Sequence, residues 1–243
     1  MSKLIGVIMA AGMGRRLNGL TKEKPKALIP VRGKELIKYN IDFMRGLGAK
    51  KIIVIGGFYF DNLQMVVKDY APEATILRNG EYQKGNLFTF LHALEILNDD
   101  FILSNTDHIY RKSLSEIIKT ICMGDNIVAF CDNDRKLEED DMKVFERGGC
   151  VSDISKQLQE FNWGYVGLTY CPKTKLVDYK YMIDNVIREF GEKAVVENVL
   201  KYLSKKFIVK VGDISGHGWL EIDTRKELRK AEKEISQNYD AYI

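Results

Sequence analysis

Apolar runs of strand length alternate with helical stripes through the first half of the chain. Residues 4–9 are continuously apolar, as in a strand covered on both faces. Leu36, Ile37, Ile41, Met44 and Leu47 then recur at helical spacing, and Gly46 and Gly48 stop the stripe. A β-branched run at 51–55 ends in Gly56-Gly57, and the pattern continues as a helix over 61–70, a strand at 75–77, a helix over 86–97 and a strand at 101–103. Strands separated by helices predict βαβ units and a parallel sheet.

The middle of the chain reads differently. Residues 132–141, Asp-Asn-Asp-Arg-Lys-Leu-Glu-Glu-Asp-Asp, predict a solvated loop and a candidate mobile lid. Short strands are expected at 142–145, 150–154 and 165–170, and helices over 173–189 and 193–203. Strands at 207–211 and 219–222 and a helix from Thr224 close the chain. No repeat, low-complexity tract or Pro/Ser-rich linker interrupts 243 residues, so one α/β domain over 1–243 is expected.

Composition narrows the function classes. Hydrophobic content of 45% and charged content of 29% suit an ordinary globular protein. A net charge of +3 with no long Lys/Arg block argues against a nucleic-acid partner. Cys122, Cys131, Cys150 and Cys171 are widely spaced, which argues for reduced thiols rather than a disulfide frame or a zinc site. The first residues superficially resemble a signal peptide, but the apolar run ends in Gly14-Arg15-Arg16 instead of a cleavage site. No apolar run approaches the roughly 18 residues that cross a bilayer. A cytoplasmic protein is expected.

The chemistry begins where the first strand empties into Ala10-Ala11-Gly12-Met13-Gly14-Arg15-Arg16-Leu17, completed by Thr21 and Pro25-Lys26-Ala27-Leu28. A glycine-containing loop after a strand exposes backbone N–H groups that cradle phosphate. Arg15, Arg16, Lys22, Lys24 and Lys26 stand there against a single acid, Glu23, which suits a polyanion better than a plain surface turn. The P-loop pattern is absent, and the dinucleotide pattern G-x-G-x-x-G fails at Leu17. Glu35, at the spacing of a ribose-binding acid, starts a helix instead of ending a strand, so an NAD-dependent oxidoreductase is discounted.

The combination over residues 10–28 resembles the signature loop of the sugar-phosphate nucleotidylyltransferases. The resemblance implies a single-domain, Rossmann-like nucleotidyltransferase fold, with a mostly parallel sheet flanked by helices and a small acceptor-binding subregion. It implies that Ala10, Ala11, Gly12 and Gly14 lie along the nucleotide and that Arg16 and Lys26 hold phosphate. Gly19 departs from the pattern, since many relatives carry proline there.

Joining a triphosphate to a phosphate monoester brings two anions together, which a divalent cation on hard oxygen ligands relieves. Asp107 and Asp223 stand at the ends of expected strands. Each precedes a helix with its own capping-box pattern, Ser113 with Glu116 and Thr224 with Glu227, so neither aspartate is needed as a cap. The resemblance implies that the matching aspartates hold Mg²⁺. His92, His108 and His217 lack metal-ligand spacing. No nucleophilic side chain or general base is required, because the acceptor phosphate is ionised and attacks directly.

The turn before residue 86 places Gly85 and Asn86 at a helix start, where the resemblance implies contact with the nucleobase and an ordinary capped turn is the plain alternative. Lys143, Lys156, Trp163 and Gly164 fall where relatives hold the acceptor phosphate and sugar, though isolated lysines are usually surface and Trp163 and Tyr165 could equally fill core. The segments Asn105-Thr-Asp107-His108-Ile-Tyr110 and Leu220-Glu-Ile-Asp223 resemble the inositol-1-phosphate cytidylyltransferases most, with the phosphocholine cytidylyltransferases nearest. The implied partners are CTP and a phosphomonoester, myo-inositol 1-phosphate, giving CDP-inositol. A homodimer is the candidate assembly, and a separate membrane CDP-alcohol phosphotransferase is the candidate consumer. A catalytically silent nucleotide-binding module could dispense with Lys26, Asp107 and Asp223, and all three are present.

Overall fold

The computed structural model describes residues 3–17, 19–122 and 124–242. Strand β1 (Ile5–Ala10) is buried at every position. The chain then forms a small hairpin, β2 (Pro30–Val31) with β3 (Lys34–Glu35), runs through α1 (Leu36–Gly46) and returns as β4 (Lys51–Gly56). Helix α2 (Phe60–Tyr70), β5 (Thr75–Arg78), α3 (Asn86–Leu94) and β6 (Phe101–Asn105) complete the first half. β5, β4, β1 and β6 lie side by side and parallel, as the alternating pattern predicts.

The second half contributes β7 (His108–Tyr110), α4 (Leu114–Ile121), β8 (Ile127–Asp132), β9 (Lys143–Arg147), β10 (Cys150–Ser155) and β11 (Trp163–Cys171). It ends with α5 (Leu176–Phe190), α6 (Val196–Ser204), β12 (Val209–Asp213), β13 (Trp219–Glu221), α7 (Arg225–Gln237) and α8 (Tyr239–Tyr242). The large sheet runs β5-β4-β1-β6-β11-β8-β12-β10-β9. β11 is antiparallel to both β6 and β8, while β8 and β12 are parallel. β10 opposes β12 and β9. Within this sheet only β11 and β10 run against the rest, so it is mostly parallel in direction.

Two expectations are corrected, and the place of one expected strand is resolved. Residues 127–132 form a strand that the sequence reading passed over, so Asp132 ends a strand and is only 2% exposed instead of opening a solvated loop. The strand expected at 219–222 forms as β13, and it pairs with β7 in a two-stranded ladder apart from the large sheet. Ser113 has helical backbone angles and makes no side-chain cap, so the first capping box does not form.

Alternate residues of β1 serve two cores, as a period of two requires. Ile5, Val7 and Met9 pack with Phe90 of α3, Tyr179 of α5 and Val199 of α6. Ile8 and Ala10 pack with Ile41 of α1, Leu63 of α2 and Ile118 of α4. A smaller third core joins Leu17, Ile29 and Leu36 to Leu220, Ile222 and Ala231 of α7.

Phe90 is fully buried, with ring centroids 5.5 Å from Phe101 and 5.8 Å from Tyr179. Phe90→Ala is expected to lower stability by about 3–5 kcal/mol, the usual cost of truncating a core aromatic. Urea unfolding of the two proteins measures it.

Candidate active site

The glycine loop after β1 is shaped by its own side chains. Gly14 has φ +64°, and a Cβ there would stand 2.9 Å from Lys26 Cβ, so only glycine lets the two segments lie together. Thr21 Oγ1 donates to the Gly14 carbonyl at 3.1 Å, and the Lys26 N–H donates to the Gly12 carbonyl at 3.3 Å. Pro25, at φ −68°, leads into a single tight turn over Lys26–Leu28 whose Ala27 and Leu28 sink into the core. The motif spacing thus fixes the backbone of Lys26, whose side chain is almost wholly buried.

Asp107 occupies the turn between β6 and β7, and Asp223 follows β13 by two residues. The antiparallel ladder sets Leu220 opposite Ile109 and Glu221 opposite His108. Beyond it the Ile222 N–H donates to the Asp107 carbonyl at 2.9 Å. This ladder brings together two carboxylates that are far apart in sequence. Buried Asn40 pins the turn from behind: its amide donates to the Leu36, Thr106 and His108 carbonyls at 3.0–3.1 Å and accepts from Ser104 Oγ at 3.0 Å. The second capping box does form. The Glu227 carboxylate accepts the Asp223 and Thr224 N–H groups at 2.7 and 2.8 Å, so Asp223 is spared capping duty.

Lys26 Nζ donates to Asp107 Oδ2 at 2.7 Å and also to Asp223 Oδ1. Burial pulls the Lys26 ammonium pKa down, but Asp107 and then Asp223 outweigh it and hold the pKa above its ordinary value. Asp107 shows the converse. Burial opposes its charge, yet Lys26 and His108 keep its carboxyl well below the usual carboxylate range. His108 Nδ1 lies 2.6 Å from Asp107 Oδ1. Arg16 reaches the other Asp223 oxygen and also Asp140, and Asp140 in turn accepts from Lys156 Nζ at 2.9 Å. Every cation assigned to phosphate other than Lys143 therefore rests on a carboxylate.

Two cavities meet at Asn86, Asn105 and Asp107. The first, about 240 Å³, is walled by Ala10, Ala11, Gly12 and Lys26 on one side and by Tyr82, Lys84 and Thr89 on the other. The second, about 250 Å³, is lined by Arg135, Asp140, Lys156, Tyr165, Glu197 and Glu221, with Asp223 at its edge.

The expected contacts divide between these walls and the structure behind them. Gly85 stands behind the first cavity: its N–H donates to the Glu192 carbonyl at 2.7 Å, and a Cβ would lie 1.9 Å from the Ala194 carbonyl oxygen. Lys156 lines the second cavity, whereas Lys143 is buried, with Nζ donating to the Glu139 and Lys156 carbonyls at 3.0 and 2.8 Å. The Trp163 indole donates to Glu146 at 3.3 Å, and Gly164 packs against Leu137. Neither lines these two cavities. The sequence reading missed Tyr82, Lys84, Thr89, Asn105, Arg135, Glu197 and Glu221, which carry no motif of their own and reach the walls through tertiary packing.

The strand, glycine loop and buried lysine coincide with a family match. Residues 6–164 match the MobA-like NTP transferase domain, about two thirds of the chain. The chain belongs to the MobA-like NTP transferase family. This NTP transferase is 27% identical over 235 residues to the bifunctional IPC transferase and DIPP synthase of Aquifex aeolicus, covering 93% of this chain and 50% of that protein. The chain spans about half the length of the curated relatives it matches first. It is also 26% identical to the CTP:phosphoglutamine cytidylyltransferase of Campylobacter jejuni, over 91% of this chain and 96% of that one. In fold it resembles the inositol-1-phosphate CTP transferase from T. maritima, with TM-score 0.83, 21% identity and coverage of 100% and 99% of the two chains. Among the described residues, no helix of the NTP transferase is long and apolar enough to cross a membrane.

Lys26 is buried between two carboxylates, whereas Lys22 is exposed and Lys24 half-buried on the same loop. Lys26→Ala is expected to lose at least ~10²-fold in kcat/KM, the scale of one oriented electrostatic contact. Lys24→Ala should lose little. Pyrophosphate release measures both, and a Lys26 variant as active as the parent would remove the assignment.

Proposed function

We propose that this NTP transferase moves the cytidylyl group of CTP to myo-inositol 1-phosphate, giving CDP-inositol and pyrophosphate. The observation that carries the reading is the junction of two cavities at Asp107, with Lys26 and Asp223 beside it. The nucleotide takes the cavity walled by Ala10, Ala11 and Gly12, and the phosphomonoester takes the one lined by Lys156. The relatives' names, which include inositol-phosphate and CTP transferases, support the pairing. The whole of 1–243 acts as one nucleotidyltransferase domain. The widely spaced cysteines support placing it in the cytoplasm.

An oxygen of the acceptor phosphate attacks the α-phosphorus of CTP, and the bond to the bridging oxygen of the β-phosphate breaks as pyrophosphate leaves. The acceptor is ionised at neutral pH, so no side chain removes a proton. Alignment and charge neutralisation are what the protein supplies. Lys26 enters with its proton secured by Asp107 and Asp223 and presents that charge to the phosphates. Arg16 and Lys156 exchange Asp140 for phosphate oxygens, so the segment 133–141 must give way when both substrates bind.

Asp107 and Asp223 fit a magnesium ion by donor chemistry: both are hard oxygen ligands whose carboxylates converge on one point, the Lys26 ammonium. Water and substrate phosphate would supply the remaining oxygen ligands, as is usual for magnesium. When bound, the ion would polarise the phosphoryl oxygens and neutralise charge.

CTP should be turned over in preference to UTP, GTP or ATP. Cytosine and uracil exchange donor for acceptor at one ring edge, and a wrong base leaves a buried polar group unpaired. Steady-state rates with the four triphosphates decide it, and equal turnover with UTP or ATP refutes cytidylyl specificity.

Asp107→Asn and Asp223→Asn should each cost several orders of magnitude, with the double variant little worse than the worse single one. Because the two also share Lys26, the decisive reading is the Mg²⁺ concentration for half-maximal rate. Each single variant should raise it, and Lys26→Ala should not. Multiplicative losses with an unchanged Mg²⁺ requirement contradict a shared ion.

A further inference from the structure

The second cavity holds more carboxylates than its cations absorb. Asp107 and Asp223 share Lys26, Asp140 is held by Lys156 and Arg16, and Asp141 accepts two N–H groups of Arg135 at 3.0 and 3.2 Å. Two lining carboxylates, Glu197 and Glu221, make no ion pair among the described residues; Glu221 stands opposite His108 in the β7–β13 ladder, whereas Glu197 sits in the first turn of α6 and is 8% exposed. The hydrogen-bond partners of Glu197 are its own backbone N–H and the Asn86 side chain. Asn86 Oδ1 accepts the Val196 N–H at 2.9 Å, which turns the Asn86 NH₂ toward Glu197, and Lys156 is the attracting cation. A carboxylate offers about four acceptor positions. Two donors leave part of that capacity open, and a ligand that supplies a further donor is favoured there.

The surrounding groups identify the donor. A quaternary ammonium is recognised by several aromatic faces arranged as a cage. Here the aromatic groups on the cavity wall are His108 and Tyr165. The His108 ring is stacked with Trp219 at 5.0 Å and with Tyr110 at 6.0 Å, and its Nδ1 is committed to Asp107. The Tyr165 hydroxyl is bonded to Thr169 at 2.7 Å. Polar acceptors without a cage suit hydroxyl groups.

We propose that Glu197, held in place by Asn86, determines acceptor specificity by accepting a hydrogen bond from one hydroxyl of a cyclic polyol phosphate. The inference rests on the cytidylyl-transfer reading above and names the residue that selects its acceptor. Asn86 also lines the nucleotide cavity, so the same amide stands between the two substrates.

The test compares the parent enzyme with Glu197→Gln, using CTP with myo-inositol 1-phosphate, each of its monodeoxy analogues, and phosphocholine. Glu197→Gln should lose ~10-fold or more in kcat/KM for inositol phosphate, the scale of a hydrogen bond to a charged group. Its calorimetric affinity for CTP should be unchanged, which also shows that it folds. One deoxy analogue should cost the parent enzyme a similar factor and cost Glu197→Gln nothing further. If the variant does not fold, that deoxy series on the parent enzyme and on Glu197→Asp decides, and a uniform response to all analogues overturns the proposal. Turnover of inositol phosphate that is indifferent to Glu197→Gln overturns the role of Glu197 alone. Turnover of phosphocholine and not of inositol phosphate overturns both this proposal and the acceptor reading.

Discussion

Everything in this protein is arranged around one buried ammonium held between two carboxylates. Lys26 cannot be buried alone, because an unpaired charge out of water is far too costly. Asp107 and Asp223 make its burial possible, and Lys26 in turn keeps Asp107 charged and holds the two carboxylates close together. The trio balances its own charges, and it stands where two cavities meet. A site whose charges are fixed before substrate arrives spends little on reorganisation when phosphate replaces carboxylate.

That assembly depends on a small structural device. The large sheet carries Lys26 and Asp107 on adjacent strand exits, since β1 and β6 are neighbours. It does not carry Asp223. The three-residue ladder of β7 with β13 does so, extended by the Ile222 N–H to the Asp107 carbonyl, and Asn40 ties its turn to α1. Behind it, the third core packs α7 against Leu17 and Ile29 at either end of the phosphate loop. Helix α7 thus secures both the loop and the second aspartate.

A second layer of charge covers the first. Asp140 lies between Arg16 and Lys156, one from the nucleotide side and one from the acceptor side. The segment carrying it is anchored at its root, where the Trp219 indole donates to buried Asp132 and Arg135 lies 4.6 Å from the Trp219 ring centroid. His108 stacks on the same indole and touches Asp107. Loop, ladder and carboxylate are consequently in one contiguous packed group, and substrates must compete with Asp140 for its cations.

The parallel half of the sheet was legible in the sequence because a strand buried on both faces is apolar at every position, and the helices between strands show their stripe. The phosphate loop was legible because its chemistry is local: Gly14, Thr21 and Lys26 act on one another within one short loop, so their spacing carries the geometry. Asp107 and Asp223 were legible one at a time, as uncommitted acids after strands. Their meeting was not, since it comes from strand pairing across the length of the chain. The strand ending in Asp132 was hidden by the charged run that follows it, and Ser113 showed a capping pattern that its helical backbone does not use. Glu197 reads as an ordinary polar position on a helix. Only the docking of α6 against the start of α3, where Gly85 leaves room for the Ala194 carbonyl, turns that carboxylate into the wall of a cavity. Local sequence determines which backbone a segment takes and which groups it carries, whereas burial and charge pairing are properties of what packs against it.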